Sequence, residues 1–192
     1  MSGQFASILA PRLGLTFLRH RKEKSFTYVE RLFDPAWVEG LELPSTEWLL
    51  PALAGEQGFW RTDDRAAVEQ AYHNQPRTKV YENLDTKVSG WIEITALQLA
   101  RLARCRVVAS LFESSCKDAA TVPHFDDWYV VAVQLRGAKV WTLSEGREGL
   151  RQEVITRPGD VLLMPSTVYH AVRTPLHSVH LSFAVLDQEP IA

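Results

Sequence analysis

A mainly β fold, a barrel with helices packed on one outer face, is what this sequence predicts, and three observations carry the expectation. After Arg104 the chain breaks into short β-branched or aromatic runs: RVVASLF, WYVVAVQL, AKVWTL, QEVITR, DVLLMP, VYHAVR and SVHLSFAVL. The turn signals Arg136-Gly137, Glu145-Gly146 and Pro158-Gly159 separate them, and many short strands at close spacing argue for a sandwich or barrel. Before Arg104 apolar residues recur at three- and four-residue spacing, the period of a helix with one buried face.

The elements follow in order. MSGQFASILAPRLGLTFLRHRKEK has no acidic residue before Glu23 and carries Arg12, Arg19 and Arg21, the composition of a mitochondrial presequence. Pro11 and Gly14 interrupt a long amphipathic helix, so a short entry helix belonging to the domain is expected instead, and a cytoplasmic protein. FTYVERLF alternates like a strand. DPAWVEGL is a helix with Asp34 as N-cap and Pro35 at its first position. STEWLLPAL opens on a second cap-like residue, Ser45, and reads as a further helix start. DDRAAVEQAYH and EITALQLARLARC are helices by periodicity. No repeat or linker divides the 192 residues, which read as one domain, 1–192, with a helix-rich segment over 1–104 and a barrel core over 105–192.

Bulk properties exclude several classes. A formal net charge of -2 gives no electrostatic case for nucleic acid or an anionic membrane, and no apolar run approaches the roughly 20 residues of a membrane span. Two cysteines, Cys105 and Cys116, make neither a disulfide framework nor a zinc site and read as reduced packing residues.

Charge in the wrong place points to chemistry. In TVPHFDDWYVVAVQLRGAKVW, His124 and Asp126 precede the apolar run and Lys139 follows its turn. Two residues apart in an extended strand, His124 and Asp126 project from one face, where they pack poorly but ligate metal well. Two histidines and one carboxylate are a ligand set for divalent iron that leaves open positions, and His170 in RPGDVLLMPSTVYHAV is the candidate for the second histidine. If Arg136-Gly137 are the central residues of a hairpin, Gln134 pairs with Lys139 and Lys139 points towards His124 and Asp126. A buried ammonium needs an anionic partner or loses its proton. The far carboxylate of a metal-chelating acid would serve.

These residues make the sequence resemble the JmjC-type cupin oxygenases, the Fe(II)- and 2-oxoglutarate-dependent group that includes bacterial ribosomal oxygenases and asparaginyl hydroxylases. His124, Asp126, Lys139 and His170 match the family's motif positions, including the fifteen-residue step from His124 to Lys139. Gly159, Pro165 and His170 match the second cupin motif, with Thr167 where that motif has a further glycine. FLRHRKEKSFTYVERLFDP and SVHLSFAV also resemble the bacterial members. The resemblance implies a double-stranded β-helix (jelly-roll, cupin) core. It implies iron held by His124, Asp126 and His170, with Lys139 on the distal carboxylate of 2-oxoglutarate and Thr121 assisting it. The implied reaction is hydroxylation of a C–H bond of a peptide, protein side chain or small natural product, consuming O2 and releasing succinate and CO2. Asp126 argues against halogenation, in which halide takes the place of a carboxylate. The ribosomal members carry dimerisation and winged-helix domains after the core, so a ribosomal substrate is not carried over. A homodimer is left open.

Other readings stay in play. A metal-dependent cupin isomerase or dioxygenase without 2-oxoglutarate would usually add a His-x-His and a glutamate, which are not matched here, and would leave Lys139 without a purpose. A non-catalytic ligand-binding cupin is the third. His20, His73 and His177 read as ordinary surface or core histidines; His180 alternates with Val179, Leu181 and Phe183, and its direction is open. Trp128 and Tyr129 line a substrate mouth or simply pack. Trp141 is a core residue on the lysine face, Arg173 a solvated strand end with a place near the co-substrate as the alternative, and Asp127 a solvated or capping group rather than a second ligand. Tyr81 reaches 2-oxoglutarate by analogy alone.

Overall fold

A computed structural model describes residues 2–55 and 58–186. Helix α1 (Ser2–His20) leads into β1 (Thr27–Val29) and α2 (Pro35–Glu39), then β2 (Ala52–Gly55), β3 (Gly58–Trp60), α3 (Arg65–Asn74), β4 (Lys79–Tyr81), α4 (Leu84–Lys87) and α5 (Trp91–Ala103). The rest is β: β5 (Arg106–Ser115), β6 (Tyr129–Gly137), β7 (Lys139–Glu145), β8 (Gln152–Thr156), β9 (Val161–Met164), β10 (Val168–Arg173) and β11 (His177–Leu186). The large sheet runs β1-β9-β6-β11-β5-β4-β2-β3 and the small one β10-β7-β8, with every strand pair antiparallel. This is the mainly β, double-stranded β-helix architecture. The helix-rich segment also contributes strands: β1 extends one edge of the large sheet and β4, β2 and β3 the other.

Side-chain alternation splits the large sheet into two faces, each with its own core. Val131, Val133 and Leu135 of β6 and Leu181, Phe183 and Val185 of β11 pack outward on Leu9, Leu13 and Phe17 of α1 and on Ile92, Ala96 and Leu99 of α5. Val130 and Ala132 of β6 and Leu162 and Met164 of β9 point inward onto Trp141, Leu143 and Val168 of the small sheet. Towards one end the inward face turns small or polar, with Ser110, Ser114 and Ser182, and there the barrel opens into a cavity.

Three local expectations are corrected. The entry helix is not short: α1 runs 19 residues with Pro11 inside it. Pro11 lies on the exposed side, while Leu9, Leu13 and Phe17 bury the opposite stripe. Gly14 is no breaker either; it allows close packing, since a Cβ there would overlap Leu102 Cδ1 of α5. STEWLLPAL forms no helix, only a turn followed by β2 beyond Pro51. FTYVERLF gives a three-residue strand, because Arg31 turns left-handed (φ 48°). There the buried Asp160 accepts from Arg31 N–H at 2.8 Å and from Tyr28 O–H at 2.7 Å, clamping β1 onto the barrel. Asp34 caps α2 as read, accepting from Trp37 N–H at 2.9 Å.

The largest correction concerns Arg136-Gly137. β6 and β7 are no hairpin; they belong to different sheets, and Gly137-Ala138 is the corner between them. Gly137 has φ 63°, and a Cβ on it would overlap the His177 carbonyl oxygen. Gly137→Ala is therefore expected to destabilise the fold by roughly 1–3 kcal/mol through backbone strain alone, read as a lowered denaturant midpoint.

Candidate metal centre and anion pocket

Residues 121–124 form no named strand yet run along β10. Thr121 N–H donates to Val172 O at 3.0 Å, and His124 and His170 exchange backbone hydrogen bonds, each at 2.9 Å. The extended strand expected to carry His124 and Asp126 begins only at Tyr129. The bridge does the strand's work by setting the two imidazoles side by side, ring centroids 4.3 Å apart.

Asp126 faces both rings. Its Oδ1 is 3.9 Å from His124 Nε2 and its Oδ2 is 3.6 Å from His170 Nε2, and one donor atom from each residue lies within 4.8 Å of the others. His124 Nδ1 bonds Val122 O at 2.8 Å and His170 Nδ1 bonds Val168 O at 3.2 Å. A carbonyl only accepts, so each Nδ1 carries a proton, and Nε2 is the ring nitrogen turned towards Asp126 and placed for a metal. Burial holds His170 below the usual histidine range, with Asp126 opposing and His124 reinforcing the shift, so it stands as the neutral imidazole that a metal requires. Among the described residues no fourth donor joins the group. Two nitrogens and one carboxylate on one side of a point fit a six-coordinate ferrous ion with exchangeable positions.

Deeper in the same cavity lies Lys139, 3% exposed. Its Nζ donates to Ser114 Oγ at 2.9 Å and to His180 Nδ1 at 3.1 Å, and sits 5.8 Å from the Phe112 ring centroid. Neither hydrogen-bond partner carries negative charge. Burial consequently pulls the lysine pKa down to about 7, against a small opposing pull from Asp118. The hairpin argument for its direction fails, since Gln134 instead pairs with His180 across β11 and accepts from Thr156 Oγ1 at 2.9 Å. What turns Lys139 inward is the corner at Gly137 and the inward face of β7. Thr121 also lines the cavity. Its hydroxyl accepts from Val172 N–H at 2.8 Å, leaving its own proton to donate.

The cavity measures about 670 Å³, far more than a five-carbon acid needs. Its outer end is walled by Phe59 of the β2–β3 hairpin, by Trp128, and by the Arg61–Glu82 pair, joined by two hydrogen bonds of 2.8 Å. Asp127 is exposed at the rim, outside the ligand group. Trp141 is buried, donating Nε1–H to Thr156 Oγ1 at 3.0 Å. Tyr129 faces the helices, edge-on to Phe17 at 5.2 Å. Arg173 pairs with Glu153 at the surface, 3.2 Å away, and His73 and His177 are exposed.

Two readings fall. Tyr81 belongs to the helix-side core and bonds Glu113 at 3.4 Å, outside the cavity. Cys116 is exposed rather than packed. Sequence reasoning missed Ser114 and Phe112; the alternation in VVASLFESS was the available signal, placing Ser110, Phe112 and Ser114 on one face.

The family model of the JmjC domain matches residues 79–190, more than half of the chain, a span that includes Thr121, His124, Asp126, Lys139 and His170. The chain belongs to the JmjC-domain family. The fold of this JmjC domain is similar to solved structures of the Escherichia coli ribosomal oxygenase YcfD. One of these is at 16% identity and TM-score 0.56, covering 92% of this chain and 52% of that one. Another, determined in complex with cobalt and 2-oxoglutarate, is at 17% identity and TM-score 0.56, with the same coverage of 92% and 52%. The JmjC chain thus spans about half the length of these proteins. No curated protein matches it. Among the described residues no helix is long and apolar enough to cross a membrane.

Proposed function

We propose that this JmjC domain is an Fe(II)- and 2-oxoglutarate-dependent oxygenase. It hydroxylates a C–H bond of a peptide or protein side chain, with a small natural product as the other substrate class, and releases succinate and CO2. One observation carries the reading: three ready metal donors and a buried lysine with no ion-pair partner among the described residues open into one cavity. Either feature alone occurs for structural reasons; together they call for a metal and for an anion long enough to reach from it to Lys139. Ribosomal oxygenases among the proteins of similar fold favour a protein substrate.

Iron and 2-oxoglutarate would supply the oxidising power. The chain would supply everything else. His124, Asp126 and His170 hold the metal on one side. Lys139 pairs with the distal carboxylate, assisted by the Thr121 hydroxyl, and so orients the keto acid. Trp128, Phe59 and the Arg61–Glu82 pair surround the approach of the substrate, and the apolar walls of Val108, Val130 and Met164 keep bulk water away. Residues 1–192 act as one domain in this proposal, supported by the core that helices and sheet share. The exposed thiol of Cys116 fits a reducing cytoplasm.

The test is spectroscopic. Fe(II) and 2-oxoglutarate added anaerobically should produce a visible charge-transfer band, and air should then yield succinate. Well-folded protein that binds Fe(II) but shows neither band nor succinate would return the assignment to a cupin that does not use 2-oxoglutarate.

A further inference from the structure

Of the three metal donors, Asp126 is the one that no hydrogen bond among the described residues holds in place. His124 and His170 are anchored through Nδ1 to Val122 and Val168. The Asp126 carboxylate approaches the two imidazoles at 3.9 and 3.6 Å, too far for a hydrogen bond. Its backbone is no better tied. After the His124–His170 bridge, residues 125–128 make no backbone–backbone hydrogen bond to another described segment before β6 opens at Tyr129. A ligating carboxylate is normally oriented by a partner of its own, so something else must set where this one points.

A ring stack grips the segment one residue before the carboxylate. Because His124 and His170 exchange both backbone hydrogen bonds, the next antiparallel pair, Phe125 with Tyr169, falls at a position without them, where side chains stand closest. The two rings lie 4.9 Å apart at 44°. The Arg147 guanidinium sits 5.9 Å from the Phe125 centroid and 5.5 Å from that of Tyr169. Along both chains the rings alternate with the ligands: Phe125 falls between His124 and Asp126, and Tyr169 precedes His170. Tyr169 is laddered to β7 opposite Ser144. The Ser144 hydroxyl donates to Gly146 O at 2.8 Å, which steadies the loop that carries Arg147. Phe125 is 37% exposed and belongs to neither hydrophobic core. The stack therefore ties an unladdered segment to a rigid strand.

We propose that Phe125 is a positioning residue for the metal: stacked on Tyr169, with Arg147 over both rings, it fixes the register of residues 124–126 and presents the Asp126 carboxylate to the point shared by His124 and His170. This rests on the reading of the three donors as a metal centre. The aromatic clamp does for Asp126 what the Nδ1 hydrogen bonds do for the two imidazoles.

The experiment is calorimetric titration of Mn(II) into metal-free protein without 2-oxoglutarate, each variant first checked for folding by circular dichroism. Phe125→Ala is expected to weaken Mn(II) binding about 10-fold, the combined worth of an aromatic pair and an exposed cation–π contact. Phe125→Tyr keeps the ring and should stay within about twofold of wild type. Tyr169 does not line the cavity, yet Tyr169→Ala should cost about as much as Phe125→Ala. The double variant should lose little more than either alone, since both changes remove one interaction. Wild-type affinity in Phe125→Ala overturns the proposal. So do fully additive losses in the double variant, or an equal loss in Phe125→Tyr. Asp126→Ala run alongside separates the two readings: if it too binds Mn(II) normally, the metal centre itself fails, whereas normal binding in Phe125→Ala alone removes the clamp and leaves the centre standing. Should a ring variant not fold, Arg147→Ala on its exposed loop decides. Mn(II) binding about two- to fivefold weaker is then expected, and unchanged affinity contradicts the clamp.

Discussion

Asp126→Ala is expected to abolish metal-dependent turnover while leaving the protein folded. The side chain is 25% exposed and faces the two imidazoles, and Asp126 belongs to neither hydrophobic core. Both rings stay anchored through Nδ1 to Val122 and Val168, leaving two ring nitrogens and no carboxylate charge to offset a dication. Loss of groups that merely orient metal ligands weakens metal binding by roughly 10- to 100-fold; loss of the only carboxylate in the set should exceed that. Calorimetry with Mn(II) checks the magnitude, and thermal denaturation checks the fold. An Asp126→Ala protein that retains wild-type Mn(II) affinity would mean that the metal, if any, sits elsewhere.

Lys139→Met is expected to do two opposite things. It should weaken 2-oxoglutarate binding by at least about 100-fold, since removing one partner of a buried charge pair leaves the other uncompensated. It should also stabilise the ligand-free protein at neutral pH, because a buried ammonium without a counter-ion opposes folding. The folded pKa of about 7 lies below the unfolded value of 10.5, so between those limits the unfolded chain holds the extra proton. Stability of the wild type should therefore rise with pH from about 7 towards 10.5, by at most about 1.4 kcal/mol per unit from this residue, and the penalty is complete below 7. In Lys139→Met that slope should vanish. Ligand binding carries the reverse sign. The anion favours the ammonium, so 2-oxoglutarate affinity should fall, by at most about tenfold per unit, as pH rises above 7. Denaturant midpoints and calorimetric affinities measured from pH 6 to 9 test both slopes.

Much of this site could be read from the chain because its chemistry is local. His124 and Asp126 sit two apart, Lys139 begins the strand after the corner, and His170 follows Pro165 at short range, so spacing together with the resemblance to the JmjC-type motif grouped them. The manner of their meeting was not legible. Arg136-Gly137 carries the same turn residues whether a chain folds back on its neighbour or crosses to a facing sheet, and only long-range pairing of β6 with β9 and β11 decides. The inward direction of Lys139 thus came out as expected for a reason that was wrong. Ser114, Phe112 and His180 gather around the lysine through the β5–β11 register, which joins residues about 65 positions apart, and no local pattern announces such a pairing. At the N-terminus, Pro11 and Gly14 look like breakers in isolation. In α1 the proline falls on the exposed side and the glycine against Leu102 of α5.

A crystal structure of the protein soaked anaerobically with Mn(II) and 2-oxoglutarate, phased on the metal's anomalous signal, would speak most directly to the whole account. One anomalous peak within bonding distance of His124 Nε2, His170 Nε2 and an Asp126 oxygen is predicted, with a keto acid on the metal and its far carboxylate against Lys139 Nζ. A peak that leaves out any of the three, or a keto acid whose far end turns away from Lys139, would contradict it.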